Sequence, residues 1–211
     1  RTDVALYALP EPGPGRHSVA ASRYPLTYPS GPADVETLLI NPSTGAKYVV
    51  TKGLFAGDLL ELPRKLSTDH ANKAKVTGHD MPALTTDGVV SADGRYALLR
   101  TYNDVDMYDA TSWKTLRSDV TPSQPQGESI AIERSQKSYL IGSEGADSEL
   151  IRMPLTVSTP APPTTTDEPA ETSATDSASA DGDGFAGSFW LWGIGGAVVV
   201  TAIAITARRR T

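Results

Sequence analysis

The chain has 211 residues, 39% of them apolar, with 19 Lys and Arg against 25 Asp and Glu and a net charge of −6. That is room for one domain of ordinary size plus accessory segments. No long basic patch exists outside the last four residues, which argues against a nucleic-acid partner, and with no cysteine the chain can form neither disulfides, nor thiolate metal sites, nor a cysteine nucleophile.

Residues 1–155 carry short apolar runs divided by turn signals, among them TLLINPSTGAKYVVTKG, GVVSADGRYALLRTY and SIAIERSQKSYLIGSEG. Asn41-Pro42-Ser43-Thr44-Gly45 and Asp93-Gly94 are turn chemistry between β-rich runs, and no 3.6-residue amphipathic period competes with them. Many short strands at regular spacing predict an all-β domain.

An internal repeat sharpens that expectation. The run Val35 to Ile40 leads through Thr51-Lys52-Gly53 to Asp58-Leu59-Leu60-Glu61-Leu62-Pro63. Gly127 to Ile132 leads likewise through Ser143-Glu144-Gly145 to Ser148–Pro154, and Asp87-Gly88-Val89-Val90 leads through Arg100-Thr101-Tyr102 to Asp104–Asp109. Units beginning at Glu36, Asp87 and Glu128 have the roughly 40–50-residue period of one four-stranded propeller blade. Upstream, Asp3 to Pro10 and Arg23 to Tyr28 match the third and fourth strands of a preceding blade. The expectation is a partial β-propeller of about three and a half blades of four-stranded antiparallel sheets. Further blades and a signal peptide are expected before Arg1. A two-sheet β-sandwich complete in itself is the alternative.

From 156 to 187 the composition changes to Thr, Ser, Pro, Ala and acid, with no Lys or Arg and almost nothing apolar. Such a stretch cannot offset the entropy of ordering, so it reads as a disordered stalk, a type often O-glycosylated. The span 188–207 then contains Phe189 to Ala207, which is uncharged and, as a helix at 1.5 Å per residue, about 28 Å long, close to a bilayer core. Phe189, Trp190 and Trp192 sit at one end, as interfacial rings do, and Arg208, Arg209 and Arg210 follow at once in the basic tail 208–211. The charge asymmetry predicts a single-pass helix in the lipid bilayer, N-terminus outside and C-terminus cytoplasmic. A removable lipid-anchor tail would end apolar, and no sortase-type LPxTG motif stands upstream. The absence of cysteine in an exported domain of this size favours a bacterial surface.

The runs DVETLLINPSTGAKYVVTK, SADGRYALLRTY and GESIAIE with YLIGSEG, together with the stalk-and-anchor layout, resemble a family of secreted or membrane-anchored bacterial β-propellers. The family recurs in high-GC Gram-positive bacteria and is similar to WD-type and esterase-like phytase-type propellers. The resemblance covers about residues 1 to 155 and implies a fold and a location. It implies no activity, because propellers are scaffolds for many functions.

Glu36, Asp87 and Glu128 begin the innermost strand of successive blades, so a propeller would set them around one mouth of its channel. Converging carboxylates would suit Ca²⁺ or Mg²⁺; the competing reading is that each carboxylate fixes its own blade by hydrogen bonds. No catalytic residue is assigned. His17, His70 and His79 fall in loop-like sequence without metal-ligand spacing, and Ile141-Gly142-Ser143-Glu144-Gly145 is not a nucleophile elbow. Tyr102, Tyr108, Trp113 and Tyr139 are expected to pack between blades. The functional expectation is a surface binding or scaffold module for an extracellular protein or envelope component. The alternative is a metal-dependent phosphoesterase or esterase-like hydrolase at the channel mouth.

Overall fold

The structure, a computed structural model, describes residues 4–156. The predicted stalk beyond Thr156, the membrane helix and the basic tail, with Phe189, Trp190, Trp192 and the three arginines, lie outside the described residues. Among the described residues no helix is long and apolar enough to cross a membrane.

The domain is all-β, in four sheets. The first sheet holds β1 (Val4–Ala8), β2 (Ser22–Thr27) and β6 (Asn72–Lys73). The second runs β3 (Val35–Ile40), β4 (Lys47–Thr51), β5 (Gly57–Glu61), β7 (Lys75–Met81). The third runs β8 (Asp87–Val90), β9 (Tyr96–Arg100), β10 (Asp104–Asp109), β11 (Thr115–Val120). The fourth holds β12 (Gly127–Ile132), β13 (Ser138–Ser143) and β14 (Ile151–Pro154). Each of the last three sheets is antiparallel with its strands in chain order; short connections join them except between β5 and β7, where the segment 62–74 carrying β6 intervenes. Four sheets replace the two of the sandwich alternative.

The apolar runs follow from burial on two faces. Successive residues of a strand point to opposite faces, so a sheet covered on one side alternates and a sheet covered on both is apolar throughout. Val50 and Leu59 of the second sheet meet Ala97, Leu99, Tyr108 and Trp113 of the third, while their neighbours Val49 and Leu60 turn to Leu26 and Tyr28. In the third sheet Leu98, between Ala97 and Leu99, packs instead with Ile130, Tyr139 and Ile141 of the fourth. Trp113 meets Tyr48 edge-on with ring centroids 5.0 Å apart. Trp113, Tyr108 and Tyr139 therefore pack between sheets as expected; Tyr102 does not, and lies at the strand ends.

The two predicted turns are present and bonded to one another. Asn41 is buried, its Oδ1 accepts the amides of Ser43 and Thr44, and its Nδ2 donates to the Gly94 carbonyl across 2.8 Å. Gly45 and Gly94 occupy the left-handed region at φ 71° and 73°, where a side chain is strained. Asn41→Ala removes a turn and an inter-sheet bond together and leaves buried polar groups unpaired. The expected cost is about 2–3 kcal/mol in denaturant unfolding, with Asn41→Asp recovering part of it through the retained acceptor.

The first sheet departs from the expectation. β1 and β2 form the predicted hairpin, but their third partner is β6, which lies parallel to β2 and comes from the segment between β5 and β7. Asn72 explains the intrusion: its Nδ2 donates to the carbonyls of Pro25 and Ser67, and its Oδ1 accepts the Ser67 amide at 2.7 Å. The side chain closes the 63–71 loop and pins it to β2. Two of the four sheets are thus three-stranded, not four-stranded.

Candidate ligand-binding end of the sheets

The first strands of the last three sheets, β3, β8 and β12, are neighbours in space, with β8 touching both others. The Thr86 hydroxyl donates to the Gly127 carbonyl, Asp87 accepts the Ile130 amide, and a Cβ on Gly88 would meet Thr37 at 2.9 Å, which sets the starts of all three strands at one end. Glu36, Asp87 and Glu128 are therefore at that end.

Each is held there by a partner of its own. Glu36 is bound by Lys52, 2.7 Å from Nζ to Oε2, and the same ammonium sits 4.8 Å from the centroid of the Tyr102 ring. Burial would lower the Lys52 pKa, but the Glu36 carboxylate and the Tyr102 hydroxyl outweigh it and hold the pKa above its usual value. Asp87 accepts two backbone amides, Gly88 on Oδ1 at 2.8 Å and Ile130 on Oδ2 at 2.9 Å, and so ties the third sheet to the fourth. Burial nonetheless pushes its carboxyl up to about 6. Glu128 takes a 2.6 Å bond from Gln126, and burial raises its pKa. Among the described residues no group of three or more His, Asp or Glu is gathered to hold a metal ion. Each carboxylate has a separate hydrogen-bond partner, and Glu128 lies within electrostatic reach of both Glu36 and Asp87. Of the histidines, His17 and His70 are in loops, with contacts to the Pro14 carbonyl and the Ser67 hydroxyl, whereas His79 lies within β7.

The central group of this end is an arginine that the repeat pattern does not mark. Arg100 ends β9 and is 0% exposed, yet among the described residues no ion pair holds it. Its Nη2 donates to Gln124 Oε1 at 2.6 Å, while Nε and Nη1 have no hydrogen-bond partner among the described residues. Burial lowers its pKa, opposed by Tyr139, Glu128 and Asp87. The guanidinium lies against Gly127, where a Cβ would fall 2.2 Å from Nη2. A charged residue closing the apolar run YALLR was the available signal. Buried cations are scarce unless they have a specific partner.

Two further features share this end. A cavity of about 290 Å³ opens between the β7–β8 connection (Pro82, Ala83, Leu84) and the β9–β10 turn, with Tyr102, Asp104 and Asp106 in its wall. Burial raises the Asp106 pKa, with Asp104 and Asp119 adding to it and a hydrogen bond with Ser118 opposing it. Beside this wall the β4–β5 hairpin carries Leu54, 73% exposed, and Phe55, 96% exposed. Two bulky apolar residues between Gly53 and Gly57 were legible as an oddity of a turn, since turns are ordinarily polar.

No family model matches the chain, and no curated protein matches it. Several solved structures are similar. Kuenenia stuttgartiensis hydrazine synthase aligns at a TM-score of 0.45 and 14% identity, covering 57% of this chain and 34% of that one. A eukaryotic initiation factor aligns at 0.40 and 14%, covering 58% and 30%. The extracellular domain of a hybrid two-component system from B. thetaiotaomicron aligns at 0.37 and 15%, covering 64% and 19%. The chain thus spans between 19% and 34% of the length of these structures, and likeness at this level carries no argument about activity.

Proposed function

We propose that this chain is a single-pass, membrane-anchored surface protein whose extracytoplasmic domain is part of a β-propeller and acts as a binding or scaffold module. The observation that carries the propeller reading is the adjacency of β3, β8 and β12, the first strand of three successive antiparallel sheets, with their starts at one end. Repeated antiparallel sheets packed face to face around a common set of inner strands are the propeller plan. Anchoring rests on the uncharged run Phe189 to Ala207 and the Arg208-Arg209-Arg210 flank. The binding role is supported by the end where those inner strands start, which presents a cavity, exposed apolar side chains and carboxylates together.

The chain's lack of cysteine makes topology directly measurable. Single variants Ser123→Cys and Thr211→Cys, treated on intact cells with a membrane-impermeant maleimide, should label at 123 only. Labelling at 211 without lysis, or release of the chain into the soluble fraction, would overturn the anchored orientation.

A further inference from the structure

The described strands have two ends of opposite electrostatic character. The end at which β3, β8 and β12 start bears Asp34, Asp58, Asp80, Asp104, Glu144 and Glu149, against Lys52 and the buried Arg100. The opposite end bears Arg64, Lys65, Lys75, Lys114, Arg134 and Lys137 on its turns and strand ends, with acids such as Asp93 and Glu133 tied to Arg95 and Arg152. Within the acidic end, Asp58 and Asp80 stand directly opposite each other across β5 and β7. Like charges in that register oppose pairing, and a cation between them relieves the cost.

The apolar tip stands beside these carboxylates and is held firmly. A Cβ on Gly53 would meet the Ala56 carbonyl oxygen at 1.8 Å, so the turn closes tightly on that glycine. The Gly53 carbonyl accepts the Leu84 amide at 2.9 Å, the Lys52 amide donates to the Asp34 carbonyl, and Thr51 Oγ1 accepts the Asp58 amide. Leu84 is itself a wall of the cavity and lies at φ 55°, a region leucine rarely occupies. One backbone hydrogen bond therefore joins the cavity wall to the tip that presents Leu54 and Phe55. Bulky apolar side chains left in water on a rigid tip commonly serve as contact anchors, and side chains that need little ordering make efficient ones.

We propose that the cavity walled by Tyr102, Asp104 and Asp106, together with the Leu54–Phe55 tip, binds a cationic-apolar peptide segment of a partner protein. The Asp104 and Asp106 carboxylates receive a Lys or Arg side chain, and the tip receives a bulky apolar neighbour of that residue. Lys52 sits at the Tyr102 ring and is paired with Glu36, so the carboxylates of Asp104 and Asp106 are the groups offered to an incoming cation. The burial that raises the Asp106 pKa also leaves its carboxylate poorly solvated, so an incoming cation gains more there than at an open surface. The proposal rests on the binding-module reading and not on the anchor.

The test uses the full chain in neutral phosphatidylcholine nanodiscs and fluorescein-labelled hexapeptides of alternating Lys and Leu, with empty nanodiscs as baseline. Anisotropy should report micromolar binding. The affinity should fall about tenfold for Phe55→Ser and again for Asp104→Asn/Asp106→Asn, the order of loss of an interface anchor. Because Phe55 is almost wholly exposed, its variant keeps the parent Tm. Asp69→Asn, in the 63–71 loop at the opposite end, should bind like the parent. No binding, equal binding by all variants, or an equal loss with Asp69→Asn would overturn the proposal. Preference for a Glu–Leu peptide would overturn it while leaving a binding module of other specificity. Failure to enter nanodiscs would count against the anchor alone, and the peptide assay would then run on the free chain.

Discussion

Gly127→Ala should cost about 3 kcal/mol and lower the Tm by about 8 °C, although it adds a single methyl group. The added Cβ would fall 2.2 Å from Arg100 Nη2 and 2.8 Å from its Cζ and Nε. A flexible side chain ordinarily swings aside from such a clash. Arg100 has nowhere to go: it is 0% exposed, its Nη2 is held by Gln124 Oε1, and Gln124 Nε2 is held in turn by the Glu149 carbonyl. The backbone at Gly127 is fixed as well, with its carbonyl accepting the Thr86 hydroxyl at 2.9 Å. Strain must therefore pass into the packing of the third sheet on the fourth. A double-mutant cycle identifies the cause. In an Arg100→Met background, where the flexible thioether replaces the forked guanidinium, the penalty of Gly127→Ala should shrink by more than half. An unchanged penalty, or a single-variant loss under about 0.5 kcal/mol, would contradict the arrangement.

The second large effect is a pH dependence opposite in sign to ordinary acid unfolding. Asp87 titrates near 6 in the folded domain against 3.8 as a free side chain, because burial disfavours its charge. Below about pH 4 the carboxyl is protonated in both states and its contribution to folding is fully present. As pH rises through about 6 the unfolded chain ionises first, and that contribution is lost, to an extent of about 3 kcal/mol. Asp93, drawn down to about 2 chiefly by the Ser91 hydroxyl and then by Arg95, works the other way, but it is half exposed and contributes less. Denaturant unfolding of the parent and of Asp87→Asn between pH 4 and 7.5 separates the two. The parent should lose stability relative to the variant as pH rises, whatever the fixed cost of the substitution. A pH-independent difference would place the Asp87 carboxyl in an ordinary environment.

Much of the fold was legible because local chemistry and tertiary environment agree. Asn41 to Gly45 and Asp93-Gly94 are turns in sequence and in space, since Asn41 satisfies its own turn and glycine supplies the left-handed residue. The repeat starts at 36, 87 and 128 fall within one residue of the first residues of β3, β8 and β12. β6 was not legible: two residues have no period to read, and their pairing depends on where Asn72 finds the Pro25 carbonyl, 47 residues away in sequence. His79 carries no strand signal for a related reason. β7 carries KVTGHDM, polar and interrupted by Gly78 at φ 83°, and it is a strand only because β5 lies beside it.

The three carboxylates show the same division at the candidate site. Sequence alone determined that Glu36, Asp87 and Glu128 hold equivalent places in a repeat, because the period of the units is a property of the chain. It also determined the alternation and runs that make the domain all-β, since side-chain direction along a strand follows from backbone geometry. Tertiary structure decided what each carboxylate does. Lys52 reaches Glu36 from the next strand, the Ile130 amide reaches Asp87 from another sheet, and Gln126 takes Glu128. Partner choice over such separations is set by how sheets stack, and no short pattern encodes it. Arg100 makes the point most sharply: in the sequence it is one arginine after an apolar run, and only packing against Gly127 turns it into a buried, half-satisfied cation.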